Sequence, residues 1–158
     1  MPGPSMEQNL PRRKNLRYAY HDYSLPGGYF ITVCTHRRQY FFGDVVGDQM
    51  ILNRAGQLAH DAWLASFDYF GLAEDAFVVM PNHFHAVVMK PDASLTLGQL
   101  VGHFKSRVAK SIRLFNPDFA WQRGYYERVI RCEEELKQMR EYVIENPARW
   151  AEDKENLG

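Results

Sequence analysis

Two histidines, His83 and His85, flank a single phenylalanine, and Tyr142 precedes Asn146 by four residues. In an extended strand alternate side chains share a face, so His83 and His85 set two imidazoles side by side. That geometry suits chelation of one divalent ion, with Phe84 pointing the other way alongside Ala86 and Val88. In a helix, residues four apart are neighbours, so Tyr142 and Asn146 present a phenol and a carboxamide one turn apart. Together they offer a nucleophile and a third oxygen ligand to the same ion. Each pair alone also fits a plain structural role, as polar strand histidines or as a half-buried helix tyrosine followed by a terminal asparagine. The remaining histidines (His21, His36, His60, His103) are scattered and carry no assigned chemistry. Tyr125 and Tyr126 are rival phenols in a predicted strand.

The elements that must position these groups follow from periodicity and turn chemistry. Leu25-Pro26-Gly27-Gly28 is a turn signal, and Tyr29 to Thr35 is rich enough in β-branched and aromatic residues to be a strand. Phe41 to Leu52 predicts a short hairpin. Asn53 is placed to cap a helix with Leu58, Ala62, Trp63 and Phe67 on one stripe, ending near Gly71. Ala76–Met80 and His83–Met89 read as strands joined at Pro81-Asn82. Thr96 opens a second helix whose stripe is Leu97, Leu100, Val101, Phe104, Val108 and Ile112. Tyr125 to Ile130 is a further strand, and Glu133 to Glu145 a final helix closed by Asn146-Pro147. Leu136, Met139 and Val143 are its core-facing residues. The order β-α-β-β-α-β plus one helix predicts an α+β, ferredoxin-like (RRM-like) fold. It has an antiparallel sheet, helices on one face and a C-terminal helix carrying Tyr142.

With 158 residues, 46% of them hydrophobic and 14% aromatic, the chain reads as one globular domain over residues 26–150. A basic arm (1–25) precedes it and an acidic tail (151–158) follows. No apolar run approaches the roughly 20 residues of a membrane span, and no apolar segment at the start resembles a signal peptide. Cys34 and Cys132 lack metal-type spacing. A reduced, cytoplasmic setting is the expectation.

The formal net charge is zero, yet the charges are segregated. His103 to Arg131 holds seven basic residues (Lys105, Arg107, Lys110, Arg113, Arg123, Arg128, Arg131) against Asp118 and Glu127. Met1 to Tyr40 holds Arg12, Arg13, Lys14, Arg17, Arg37 and Arg38 against Glu7 and Asp22. Local positive surface of this kind suits a nucleic-acid backbone, which a global sum conceals. Lys105, Arg107, Lys110, Arg113 and Arg123 are the expected phosphate contacts, Trp121 an expected base-stacking platform, and Arg12, Arg13, Lys14 and Arg17 an arm able to reach the same ligand.

Taken together these residues resemble a known family. The stretch Val78 to Val88, with Pro81-Asn82-His83-Phe84-His85 at its centre, is similar to the His-hydrophobe-His motif of the single-tyrosine HUH transposases of the IS200-like type. The closest resemblance is to the REP-associated tyrosine transposases. It extends to Tyr23–Thr35, Phe104–Arg107, Trp121–Glu127 and Tyr142–Trp150 in the family's order, and so runs over most of the chain. The resemblance implies that His83 and His85 are the metal pair, Tyr142 the catalytic tyrosine and Asn146 the third ligand. It further implies Mg²⁺ or Mn²⁺ and a single-stranded, hairpin-forming (REP-like) DNA substrate. The DNA would be cleaved to a 5′-phosphotyrosine with a free 3′-OH and later resealed, by an enzyme acting as a monomer or a homodimer. Two rivals compete. A non-cleaving DNA- or RNA-binding module with an RRM-like sheet explains the basic and aromatic surface but leaves the four site residues unused. A metal-dependent phosphoesterase without a covalent intermediate lacks an acidic metal cluster.

Overall fold

The structure is a computed structural model that describes residues 27–90 and 94–152. The arm with Arg12, Arg13, Lys14 and Arg17, and the last six residues of the tail, lie outside the described residues. Strand β1 (Gly27–Cys34) leads through a 3₁₀ turn (His36–Arg38) to a hairpin of β2 (Gly43–Val46) and β3 (Gln49–Leu52). Helix α1 (Arg54–Phe70), strands β4 (Phe77–Met80) and β5 (His83–Lys90), helix α2 (Leu97–Ile112), strand β6 (Tyr126–Ile130) and helix α3 (Glu133–Glu145) follow. A second 3₁₀ turn spans Pro147–Glu152. The main sheet runs β4-β5-β1-β6 and every neighbouring pair is antiparallel. This is the ferredoxin-like arrangement read from the sequence, with the β2–β3 hairpin inserted ahead of α1.

Local chemistry explains the boundaries. Asn53 Oδ1 accepts from Gly56 N at 2.8 Å to start α1, and a side chain at Gly56 would collide with the Phe42 carbonyl oxygen. Gly71 closes the helix at φ 69°, where a residue with a Cβ is disfavoured. Thr96 and Gln99 form a reciprocal capping box on α2 (3.1 and 2.8 Å). Three glutamates, Glu133 to Glu135, occupy the first turn of α3, where the helix dipole favours negative charge.

Strand alternation divides the molecule into two layers. Tyr29, Ile31 and Val33 of β1, with Phe84, Ala86 and Val88 of β5, pack under α1 and α2 against Trp63, Phe67, Leu100 and Phe104. Burying large side chains of this type contributes about 1.5–3 kcal/mol each. The opposite face carries Phe30 and Val87, and α3 docks there through Val143, with Leu136, Met139 and Tyr142 beside it. Helix α3 therefore covers the face of the sheet that α1 and α2 leave open. No helix among the described residues is long and apolar enough to cross a membrane.

Candidate active site

His83 and His85 share the parity of Val87, so both rings project to the α3 side, while Phe84 is buried against Trp63 and Phe104 in the main core. The two imidazole centroids lie 4.4 Å apart. Tyr142 meets His85 edge-on at 5.4 Å and Phe30 at 5.8 Å. Phe30 in turn stacks on His85 at 5.1 Å. Beyond α3, Trp150 of the 3₁₀ turn lies parallel to His83 at 6.1 Å. Asn146, buried at the C-terminal cap of α3, falls in the segment bracketed by these two ring contacts.

Hydrogen bonds orient both imidazoles. His83 Nδ1 lies 2.7 Å from Asn82 Oδ1, while Asn82 Nδ2 donates to the Arg38 carbonyl at 3.3 Å. The amide can only accept through Oδ1, so Nδ1 of His83 carries the proton and Nε2 holds the lone pair in the neutral ring. His85 Nδ1 pairs with Thr32 Oγ1 at 2.9 Å. Partners on the remote ring nitrogen are the usual outer support of metal-binding histidines. His83 Nε2, His85 Nε2 and Asn146 Oδ1 are all buried atoms with no hydrogen-bond partner. Buried polar atoms are nearly always satisfied, so these three could hold a bound group; Trp63 Nε1, in the main core, is likewise buried without a hydrogen bond. Two imidazole nitrogens and an amide oxygen fit a divalent cation with positions left for other oxygens. Among the described residues, no cluster of three or more His, Cys, Asp or Glu side chains forms an alternative metal site.

Beside the tyrosine opens a cleft of about 410 Å³, lined by Phe30, Thr32, His85 and Tyr142 together with Arg38, Gln122, Tyr125, Tyr126 and Arg128. Arg38, Arg128, Thr32, Asn82 and Trp150 were not singled out as site residues by the sequence reading. Thr32 and Arg128 follow from alternation once β1 and β6 are paired, since Thr32 sits opposite both His85 and Tyr126, and Arg128 opposite Phe30. Arg38 leaves no periodic signal because it stands in a turn.

The expected phosphate contacts are dispersed. Arg107, Lys110 and Arg113 belong to the α2 region, across the sheet from Tyr142, and Arg113 Nε donates to the Phe119 carbonyl at 2.9 Å. Lys105 donates through Nζ to the Gln122 and Gly124 carbonyls (3.0 and 2.9 Å), and burial pushes its pKa down. Trp121 packs against Phe42, Phe104 and Phe119 and donates Nε1 to the Lys105 carbonyl at 3.0 Å. Lys105 and Trp121 both help to hold the 121–124 segment, and Trp121 is only partly buried there. Arg123 is exposed within that segment, between the cleft-lining Gln122 and Gly124.

No protein-family model matches the chain. It is 31% identical over 167 residues to an uncharacterised protein of Haemophilus influenzae, covering 91% of this chain and 93% of that one. A second protein of that organism, described as a candidate REP-associated tyrosine transposase, is 21% identical over 81% of this chain and 74% of its own length. The solved structure of a REP-associated tyrosine transposase bound to a REP hairpin superposes with a TM-score of 0.66 at 20% identity, covering 93% of this chain and 77% of that one. The chain shares the fold of that REP-associated tyrosine transposase. A candidate transposase from Deinococcus radiodurans has the same fold with a TM-score of 0.52 at 19% identity, over 86% of this chain and 98% of that one. In this chain the His pair, Tyr142 and the capping Asn146 occupy one side of the sheet, beneath and along α3.

Proposed function

We propose that the protein cuts and rejoins single-stranded, hairpin-associated DNA through a covalent tyrosine intermediate. The observation that carries this reading is the docking of Tyr142 edge-on to His85, both of which line the cleft. A solved transposase structure of the same fold, bound to a REP hairpin, supports the choice of DNA. Tyr142 Oη attacks phosphorus, the bond from phosphorus to the 3′ oxygen breaks, and the electron pair leaves on that oxygen, which takes up a proton. The phenol, with a reference pKa of about 10, gives up its own proton to solvent or a base as it attacks. The products are a 5′-phosphotyrosine and a 3′-OH strand, and attack by another 3′-OH reverses the step without ATP. His83 Nε2, His85 Nε2 and Asn146 Oδ1 would hold Mg²⁺ or Mn²⁺, which when bound supplies positive charge against the developing charge on the phosphate oxygens. Thr32 and Asn82 hold the two rings in orientation, and Phe30 covers His85 from water.

An RRM-like module without cleavage uses an open sheet face. Here β1 is buried along seven of its eight residues, because α3 covers the second face. The deciding experiment incubates the protein with labelled single-stranded hairpin DNA and Mg²⁺ or Mn²⁺, followed by a denaturing gel. A covalent band absent from Tyr142→Phe is the expected result. Cleavage that persists in that variant, or binding with no cleavage, refutes the reading.

A further inference from the structure

Among the described residues, the cleft beside Tyr142 is lined by two arginines, Arg38 and Arg128, and by no carboxylate. Arg128 reaches it from β6, where pairing with Phe30 sets it on the α3 side. Arg38 reaches it from an uncommon backbone. Arg37 (φ 56°) and Arg38 (φ 57°) are consecutive non-glycine residues in the left-handed region, which costs L-residues about 1–2 kcal/mol each. Strain of this kind persists only where the surroundings enforce it, and it gathers at ligand-holding sites.

The enforcing contacts are visible. Thr35 N and Oγ1 both donate to the Asn82 carbonyl at 3.0 Å. Thr35 Oγ1 also lies 2.7 Å from the Gln39 carbonyl, and Arg38 N donates to the Thr35 carbonyl at 3.1 Å. Asn82 Nδ2 takes the Arg38 carbonyl, and Asn82 Oδ1 holds His83 Nδ1. One buried carboxamide therefore ties the turn that carries Arg38 to the first histidine of the pair. A guanidinium fork matches two phosphate oxygens at once, which an apolar cleft wall does not.

We infer that Arg38, aimed by the left-handed turn that Asn82 fastens to His83, is the side chain that holds the backbone phosphate beside Tyr142. The inference rests on the reading above that the cleft receives a DNA strand. Its test measures binding and leaves cleavage aside.

In a Tyr142→Phe background, the dissociation constant for a single-stranded hairpin oligonucleotide is measured from about 50 to about 200 mM salt. Arg38→Gln weakens binding and lowers the slope of log K against log salt by about one. Arg38→Lys keeps the charge and so keeps the slope, while losing affinity for want of the fork. Arg54→Gln, which removes the same charge from the start of α1 on the other face, leaves the curve unchanged. Melting temperatures of all variants, matched to the parent, exclude unfolding as the cause. An Arg38→Gln curve that superimposes on the parent overturns the inference, as does a parent with no affinity for the oligonucleotide. If the Arg38 effect appears but the tyrosine-bearing protein forms no covalent band, the phosphate assignment stands and the strand-transfer reading falls.

Discussion

Arg140 reaches from α3 to Asp75, just ahead of β4, with Nε and an Nη at 2.8 and 2.7 Å from the two carboxylate oxygens. The helix has one fully buried residue, Val143, so this fork is a large part of what fastens Tyr142 over the sheet. Arg140 is 44% exposed but Asp75 only 10%, which puts the pair between a solvated surface bridge and a buried one. Surface pairs contribute about 0–1 kcal/mol, and charge-assisted hydrogen bonds about 1.5–3 kcal/mol. Arg140→Ala therefore costs the docking of α3 about 1–2 kcal/mol, a rise of about 5- to 30-fold in the open population. Amide exchange along α3 reads this directly, with β1 and β5 as internal controls. Faster exchange in α3 with unchanged sheet amides is expected, along with a fall in DNA cleavage as Tyr142 leaves His85. Burial pushes the Asp75 carboxyl up, but the Arg140 hydrogen bond, the Ala76 amide and the Arg140 charge outweigh it and hold it below its ordinary value. A depressed carboxylate stabilises the fold above its unfolded pKa, about 3.9, and loses that stabilisation as pH falls through the lower folded value. Protection of α3 is accordingly flat from neutral pH down to about 5 and drops below about 4. Unchanged α3 exchange in Arg140→Ala at neutral pH refutes the argument.

Thr32→Val removes the partner of His85 Nδ1 while keeping the shape of a buried strand residue. Affinity for Mn²⁺, measured by calorimetry, falls about 10- to 100-fold, whereas an unchanged value removes Thr32 from the site. Arg37→Gly relieves a left-handed residue at φ 56° and raises unfolding stability by about 1 kcal/mol, read from the denaturant midpoint. Phe84→Ala empties the space between Trp63 and Phe104 and costs about 3–5 kcal/mol in the same assay. A loss below about 1 kcal/mol would mean that the central strand is not packed as described.

Features governed by local rules were legible in the sequence. The two-residue period placed His83 and His85 together and sent Phe84 to the core, and the caps at Asn53, Thr96 and Gly71 marked the helix ends. The apolar spacing of Leu136, Met139 and Val143 likewise marked the docking side of α3. Features that depend on which layer an element joins were not legible. The basic residues of α2 stand out as a charge cluster, yet the helix packs across the sheet from Tyr142, because charge adds along the sequence whereas facing is decided by tertiary packing. Trp121 reads as an aromatic ring beside basic residues, and its packing on Phe42 and Phe119 next to the Thr35 bridge depends on tertiary contacts that the sequence does not display. Arg38 stayed hidden because its placement depends on Asn82, 44 residues away in the chain.

The central claim is a covalent bond from DNA to one named phenol. Mass spectrometry of proteolysed protein, after reaction with single-stranded hairpin DNA and Mn²⁺, locates that bond. A nucleotide 5′-phosphate on the peptide containing Tyr142, with a free 3′-OH on the released strand, is the predicted result. An adduct on Tyr125 or Tyr126, or cleaved DNA with no adducted peptide, contradicts it.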